Sequence, residues 1–114
     1  MTLSRIACLI LAFTLFPLLA IAGELTTIRI LWPADHAQIS AGGEHLLAYE
    51  VIPGPGEHHI HVWVDDKRGP GIHKMKGAYT LPKLSRGEHV ITIKTVDKEH
   101  RPTGNEQSIR LIAK

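Results

Sequence analysis

Short runs of alternating hydrophobic and polar residues, rich in β-branched side chains, recur along the chain from Leu25 to Lys114. Glycine, proline, aspartate or asparagine ends each run, and the spacing of about 8–12 residues is typical of β-sandwiches. No segment after residue 22 has a helical hydrophobic period over ten or more residues. The pattern predicts one all-β domain, an antiparallel sandwich of about seven strands.

Turn-forming residues separate the predicted strands. Pro53–Gly56 forces a turn, because proline cannot donate a ladder hydrogen bond and glycine admits a positive φ. Gly69–Gly71 is predicted to lie in a loop. Asp97 and Pro102 are expected to shape the last hairpin around His100, with Gly104–Asn105 forming its tight turn. The predicted strands are Leu25–Trp32 with a short continuation at Ala37–Ile39, His45–Ile52, Glu57–Asp66, a weak strand near Ile72–Met75, Ala78–Leu84, Glu88–Asp97 and Glu106–Ala113.

Alternate side chains on a strand point to opposite faces of its sheet, so parity assigns each position to the core or to the outer face. In the third strand, His59, His61 and Trp63 are predicted to face away from the core. His89, at the start of the sixth strand, is expected to point inward and to bond to a backbone carbonyl. The predicted core positions are Leu47, Tyr49, Val51, Ile60, Val62, Val64, Ile91 and Ile93.

The first 22 residues have the features of a removable export signal. Arg5 precedes the apolar run Ile6–Leu19, and Ala20–Ala22 places small residues where a signal peptidase reads them. Cleavage before Gly23 is expected, which leaves residues 23–114 as a single domain. The apolar run is shorter than the ~20 residues that span a bilayer, so no membrane span is expected after cleavage. The mature protein is expected in the periplasm or outside the cell.

The composition excludes several function classes. The 114-residue chain has a formal net charge of +2, and removal of Arg5 brings basic and acidic residues close to balance, so nucleic acid is not an expected partner. The only cysteine, Cys8, lies in the predicted signal, which excludes a disulfide, an iron–sulfur cluster and a thiol nucleophile from the mature domain. All eight histidines follow residue 22, so the chemistry points to imidazole.

The chain resembles two groups of known proteins. Its strand count and turn-rich pattern resemble the bacterial immunoglobulin-like or fibronectin-type sandwich, which implies that fold over residues 23–114. A second resemblance, to a family of small, exported, histidine-rich bacterial domains of unestablished function, implies an exported domain. The motifs that carry the second resemblance are Trp32–Asp35, His58–Val62 with Asp65, and Gly87–Thr92 followed by Asp97–Pro102.

A more distant similarity links the Pro-Ala-Asp motif at residues 33–35 to exported copper-resistance sandwich proteins. Those proteins place a histidine at the mature N-terminus to bind Cu(II). The mature chain here would begin Gly23-Glu24-Leu25, so their metal site cannot be transferred to it.

Immunoglobulin topology brings histidines from distant parts of the sequence together. The turn between the second and third strands and the turn between the sixth and seventh lie at the same end of such a sandwich. His59 and His61 share one face of a strand and are expected to approach His100, with His58 as an additional ligand if a bulge turns it. Neutral imidazole suits copper and zinc, so a site for one of these ions is predicted. The histidines expected at the opposite end are His45, His73 and His89.

Alternatives to metal binding stay open at this point. A His-His-x-His segment is also compatible with a solvated face that binds no ion. The domain can equally be a structural or interaction module that docks onto a larger envelope assembly through an exposed edge or apolar patch. Enzymatic activity is not expected, because the sequence contains no nucleophile elbow, no His-Glu-x-x-His motif and no glycine-rich phosphate loop.

Overall fold

A computed structural model describes residues 25–114, which form two β-sheets and no helix. The signal segment predicted for residues 1–22 and the mature start predicted at Gly23 lie outside these residues. The strands are β1 (Thr27–Trp32), β2 (Ala37–Ile39), β3 (Leu46–Ile52), β4 (His59–Val64), β5 (Lys67–Ile72), β6 (Lys76–Thr80), β7 (Gly87–Val96) and β8 (Pro102–Ala113).

The two sheets pack into an immunoglobulin-like sandwich, as predicted. One sheet has the strand order β1-β3-β6, and the other has the order β2-β8-β7-β4-β5. The described residues contain eight strands rather than about seven, because Ala37–Ile39 does not continue β1. The chain turns at His36, which has a φ of 69°, and β2 joins the other sheet, where it pairs in parallel with β8.

The core lies between the sheets and confirms the parity assignments. Inward-facing apolar side chains from β3, β4, β7 and β8 are almost fully buried, and Leu81 and Leu84 add to them from the segment after β6. Val64 packs against their edge and is only partly buried. The buried core residues are Leu47, Tyr49, Val51, Ile60, Val62, Leu81, Leu84, Ile91, Ile93, Ile109, Leu111 and Ala113.

The segment after β4 differs from the prediction. Asp65 and Asp66 form a tight turn, and β5 then runs back along β4, so Gly69–Gly71 lies in a strand and not in a loop. The weak strand predicted near Ile72–Met75 is therefore placed too late in the sequence. Pro70 is tolerated because β5 is the edge strand of its sheet, where no outer neighbour requires an N–H donor. The result is that Ile72 returns to the beginning of β4.

The last hairpin also turns at a different place. Its turn lies at residues 97–101, where the N–H groups of Glu99 and Arg101 each donate to the Asp97 carboxylate at 2.9 Å. The predicted turn at Gly104–Asn105 is wrong, because both residues belong to β8. Gly104 has a φ of 101° and lies in an irregularity of the β7–β8 pairing, so its turn-like composition marks a bulge.

Candidate metal centre

His59 and His61 lie on the outer face of β4, opposite the core, yet they are only 1% and 3% exposed. The alternative of a solvated face is therefore wrong for this pair. The rings are covered by other imidazoles: His100 lies 4.6 Å from His59 and 5.4 Å from His61 between ring centroids, and His73 stacks on His59 at 4.8 Å. The cluster thus forms a small polar core of its own outside the hydrophobic one.

Gly71 on β5 provides room for the two buried rings. It pairs with His61 across the β4–β5 ladder. A Cβ atom at this position would lie 3.1 Å from Cδ2 and 3.3 Å from Nε2 of His59. Because such contacts are tighter than ordinary van der Waals contact, a larger residue would push the His59 ring out of place.

The turn between β7 and β8 presents His100 to both buried rings. His100 has a φ of 67°, a left-handed conformation that most residues avoid. Its Nδ1 atom lies 3.1 Å from Nε2 of His59 and 3.2 Å from Nε2 of His61. These three residues can each offer one nitrogen within 4.8 Å of the others. The structure therefore brings the three predicted ligands together, and metal binding itself stays a prediction.

A backbone contact fixes the orientation of His61. Its Nδ1 atom lies 2.8 Å from the carbonyl oxygen of Gly69. Since a carbonyl only accepts, Nδ1 carries the ring proton, and Nε2 of the neutral ring presents a lone pair toward His100. Metal-binding histidines are commonly oriented by a carbonyl in this way.

The surroundings of His59 favour its neutral form. Burial lowers the pKa of His59, and repulsion from His100, His61, His73 and His58, in that order, lowers it further. A neutral imidazole is the form that binds metal ions.

A second group of histidines lies on the other side of the His59 ring. Nδ1 of His58 is 2.9 Å from Nδ1 of His59, whereas His100 approaches Nε2. His58, His59 and His73 can also each offer one nitrogen within 4.8 Å of the others. His58 therefore does not join His61 and His100 directly. His73 was expected at the opposite end, which is wrong because β5 retraces β4 and returns the chain to this end.

The remaining histidines bond elsewhere. His89 approaches the carbonyl oxygen of Ser85 at 2.7 Å, as expected, and the Asp65 carboxylate at 2.9 Å. The hydrogen bond that His89 donates to the Asp65 carboxylate, and then the one it donates to the Ser85 carbonyl, raise the pKa of His89. His45 contacts the carbonyl oxygen of Ser40 at 2.9 Å, at the end of β3 remote from the cluster.

Sequence reasoning missed Glu57, which supports the segment that enters β4. Its carboxylate accepts hydrogen bonds from Gly54 N, Thr26, Thr95, Thr103 and Asn105. Burial alone would raise the pKa of Glu57, but the bonds from Thr103, Thr26, Thr95 and Asn105 outweigh it and hold the pKa at about 2. Nothing in the local pattern identifies this residue, because its partners come from three other segments.

Comparison with known proteins identifies the fold and no family. No family model matches the chain, and no curated protein matches its sequence. The fibronectin(III)-like modules of Clostridium thermocellum CbhA are similar in structure, with a TM-score of 0.60 and 14% identity over 77% of this chain and 97% of that one. The fold is fibronectin III-like. The resemblance to the fibronectin-type sandwich is thereby supported, whereas no match supports the histidine-rich family.

Within residues 25–114, no helix has the length and apolar character needed to cross a membrane.

Proposed function

We propose that the protein is an exported accessory module that takes up copper or zinc through His59, His61 and His100. The observation that carries the proposal is the approach of His100 to two buried imidazoles, with N···N distances of 3.1 and 3.2 Å. Two nitrogens bound to one tetrahedral zinc at about 2.0–2.1 Å lie about 3.3 Å apart. His100 therefore stands at nearly the separation from each of the other two histidines that a shared ion requires.

The donor atoms determine which ions the site selects. Imidazole nitrogen is a ligand for zinc and copper, whereas calcium and magnesium require oxygen ligands. No carboxylate belongs to either histidine group among the described residues. We therefore expect Ca²⁺ and Mg²⁺ to bind no better than they bind to an ordinary protein surface.

Titration of the purified protein with Cu(II), Cu(I) and Zn(II), followed by NMR of the imidazoles, tests the proposal. His61→Ala should remove most of the affinity, and His45→Gln, which changes a histidine remote from the cluster, should leave it unchanged. Equal loss in both variants, or wild-type binding weaker than about 0.1 mM, contradicts the proposal.

A second candidate function is docking onto a larger envelope assembly. Trp32 and Leu46 are 63% and 51% exposed, and Trp32 pairs with Ala48 on the outer side of the three-stranded sheet. Exposed apolar groups of this kind mark interaction surfaces when they are contiguous. Trp32→Lys should release the protein from such an assembly without changing metal uptake. His61→Ala should abolish metal uptake without releasing the protein. Measuring both properties in both variants separates the two functions.

A further inference from the structure

His59 presents both of its ring nitrogens to other histidines. Nε2 faces Nδ1 of His100, and Nδ1 faces Nδ1 of His58. Resting on the proposed uptake of one ion at His61 and His100, we infer that His59 bridges this ion to a second copper or zinc ion, which His58 and His73 hold.

The second group brings three imidazoles close together on one side of the His59 ring. His58 and His73 contact each other edge to face with ring centroids 5.2 Å apart, and His73 lies over the His59 ring. Both are exposed, so an ion can reach them from solvent without opening the sandwich. His59, which the two groups share, is the most buried of the five histidines. Its burial holds the ring between the two groups.

Different elements bring the neighbouring histidines to the two ring nitrogens of His59. β4 holds His59, the β7–β8 turn brings His100 to Nε2, and the segment before β4 brings His58 to Nδ1. β5 ends at Ile72, so His73 follows directly at the same end. One imidazole ring therefore lies between ligands from three separate segments.

The proton balance of the two binding steps is simple. The first ion uses the lone pair on Nε2 of neutral His59, while the ring proton stays on Nδ1. The second ion forms a bond to Nδ1 and displaces that proton to solvent, so His59 becomes an imidazolate between two dications. No electron is transferred, and no co-reactant is needed.

Copper titration of the purified protein, with metal analysis and electron paramagnetic resonance, tests the bridge. We expect two Cu(II) ions per chain. The Cu(II) resonance should rise with the first equivalent of copper. It should then fall as the second Cu(II) couples to the first through the His59 ring. Zn(II) supplied as the second ion should bind without this fall, because zinc has no unpaired electron.

His73→Ala is the decisive variant, because His73 is exposed and its loss should not prevent folding. It should bind one Cu(II) with an uncoupled resonance, and His58→Ala should behave in the same way. The matched control, His45→Gln, should still bind two coupled ions.

The outcomes separate this inference from the proposed function. One ion per wild-type chain, or two ions whose resonances stay uncoupled, overturns the bridge and leaves single-ion uptake intact. Retention of two coupled ions in His73→Ala also overturns it. Absence of any bound copper overturns both.

Discussion

At the residue scale, the burial of two imidazoles is what distinguishes this cluster from a histidine-rich surface. Parity correctly placed His59 and His61 opposite the core, and topology brought them to His100. Neither argument predicts burial, because His73, which covers His59, and Gly71, which leaves room for its ring, belong to β5 and the residue after it, a segment whose composition looks like a loop. Local composition carries no information on what a distant segment will cover.

Gly71 offers a direct test of how closely the cluster is fitted. Gly71→Ala places a methyl group against His59, so we expect a loss of about 1–2 kcal/mol of unfolding free energy and at least a tenfold loss of copper affinity. Urea unfolding and copper titration measure the two effects. Gly77→Ala is the matched control, because its Cβ would meet only the flexible Lys74 side chain. Similar losses in both variants contradict a fitted cluster.

His100 has two separable roles, one in the turn and one in the cluster. Asparagine tolerates a left-handed φ, so His100→Asn should retain most of the stability while losing most of the metal affinity. His100→Ala should lose the affinity and, in addition, about 1 kcal/mol of stability. Thermal unfolding without metal, combined with zinc titration, distinguishes the roles. Unchanged zinc affinity in His100→Asn would exclude this residue as a ligand.

At the scale of elements, strands with alternating apolar residues and the Pro53–Gly56 turn were predictable, whereas the connections after β4 and between β7 and β8 were misplaced. Leu47, Tyr49 and Val51 follow the simple two-residue period of a half-buried strand. Gly69–Gly71 does not follow this period, because an edge strand tolerates proline and glycine that a central strand would exclude. The same ambiguity made Gly104–Asn105 look like a turn, although Asp97 supplies the side chain that closes the hairpin.

The Asp97 turn should control metal binding without contributing a ligand. Asp97→Ala removes the acceptor for the N–H groups of Glu99 and Arg101, so His100 loses its fixed position and zinc affinity should fall severalfold. Asp97→Asn keeps one acceptor oxygen and should retain most of the affinity. Calorimetric titration of the two variants checks this. If Asp97→Ala binds zinc as tightly as Asp97→Asn and the wild type do, the turn needs no such support.

The contact between Asp65 and His89 joins the β4–β5 turn to the start of β7 and should make stability depend on pH. The pKa of His89 in the folded protein is raised above 6.5. Its contribution to the free energy of unfolding is therefore complete below pH 6.5 and is lost as the pH rises through the pKa of the folded protein. Burial alone would raise the pKa of Asp65, but hydrogen bonds from Val90 and His89 lower it below 3.8, so its contribution is lost only in acid. The contribution is therefore greatest between about pH 4 and 6.5.

We expect Asp65→Asn to cost about 1 kcal/mol at pH 5.5 and less at pH 8.5, since the half-exposed carboxylate is screened by solvent. Asparagine suits the positive φ of 56° at this position, so the backbone is not strained. Urea unfolding of both proteins at the two pH values measures the difference. A cost that does not change with pH would show that the ion pair contributes nothing.

At the scale of the whole molecule, the two-sheet fold followed from the number and spacing of the strands, but the place of the protein in the cell rests on residues 1–22 alone. We expect protein recovered from the cell envelope to begin at Gly23, because Ala20 and Ala22 fit the peptidase pocket. Intact-mass measurement checks the cleavage. Recovery of the full 114-residue chain from the envelope would contradict it.

The contact between His59 and His100 joins positions 41 residues apart, so the proposed ion between them would link the lifetime of the protein to the supply of metal. An ion that binds only the folded chain stabilises it by an amount that grows with the free ion concentration, about 2.7 kcal/mol at a hundred times the dissociation constant. The ion would then act as a reversible cross-link in a domain without disulfides. Under metal starvation the same domain would unfold more often and be degraded sooner, so its abundance would follow the metal content of its surroundings.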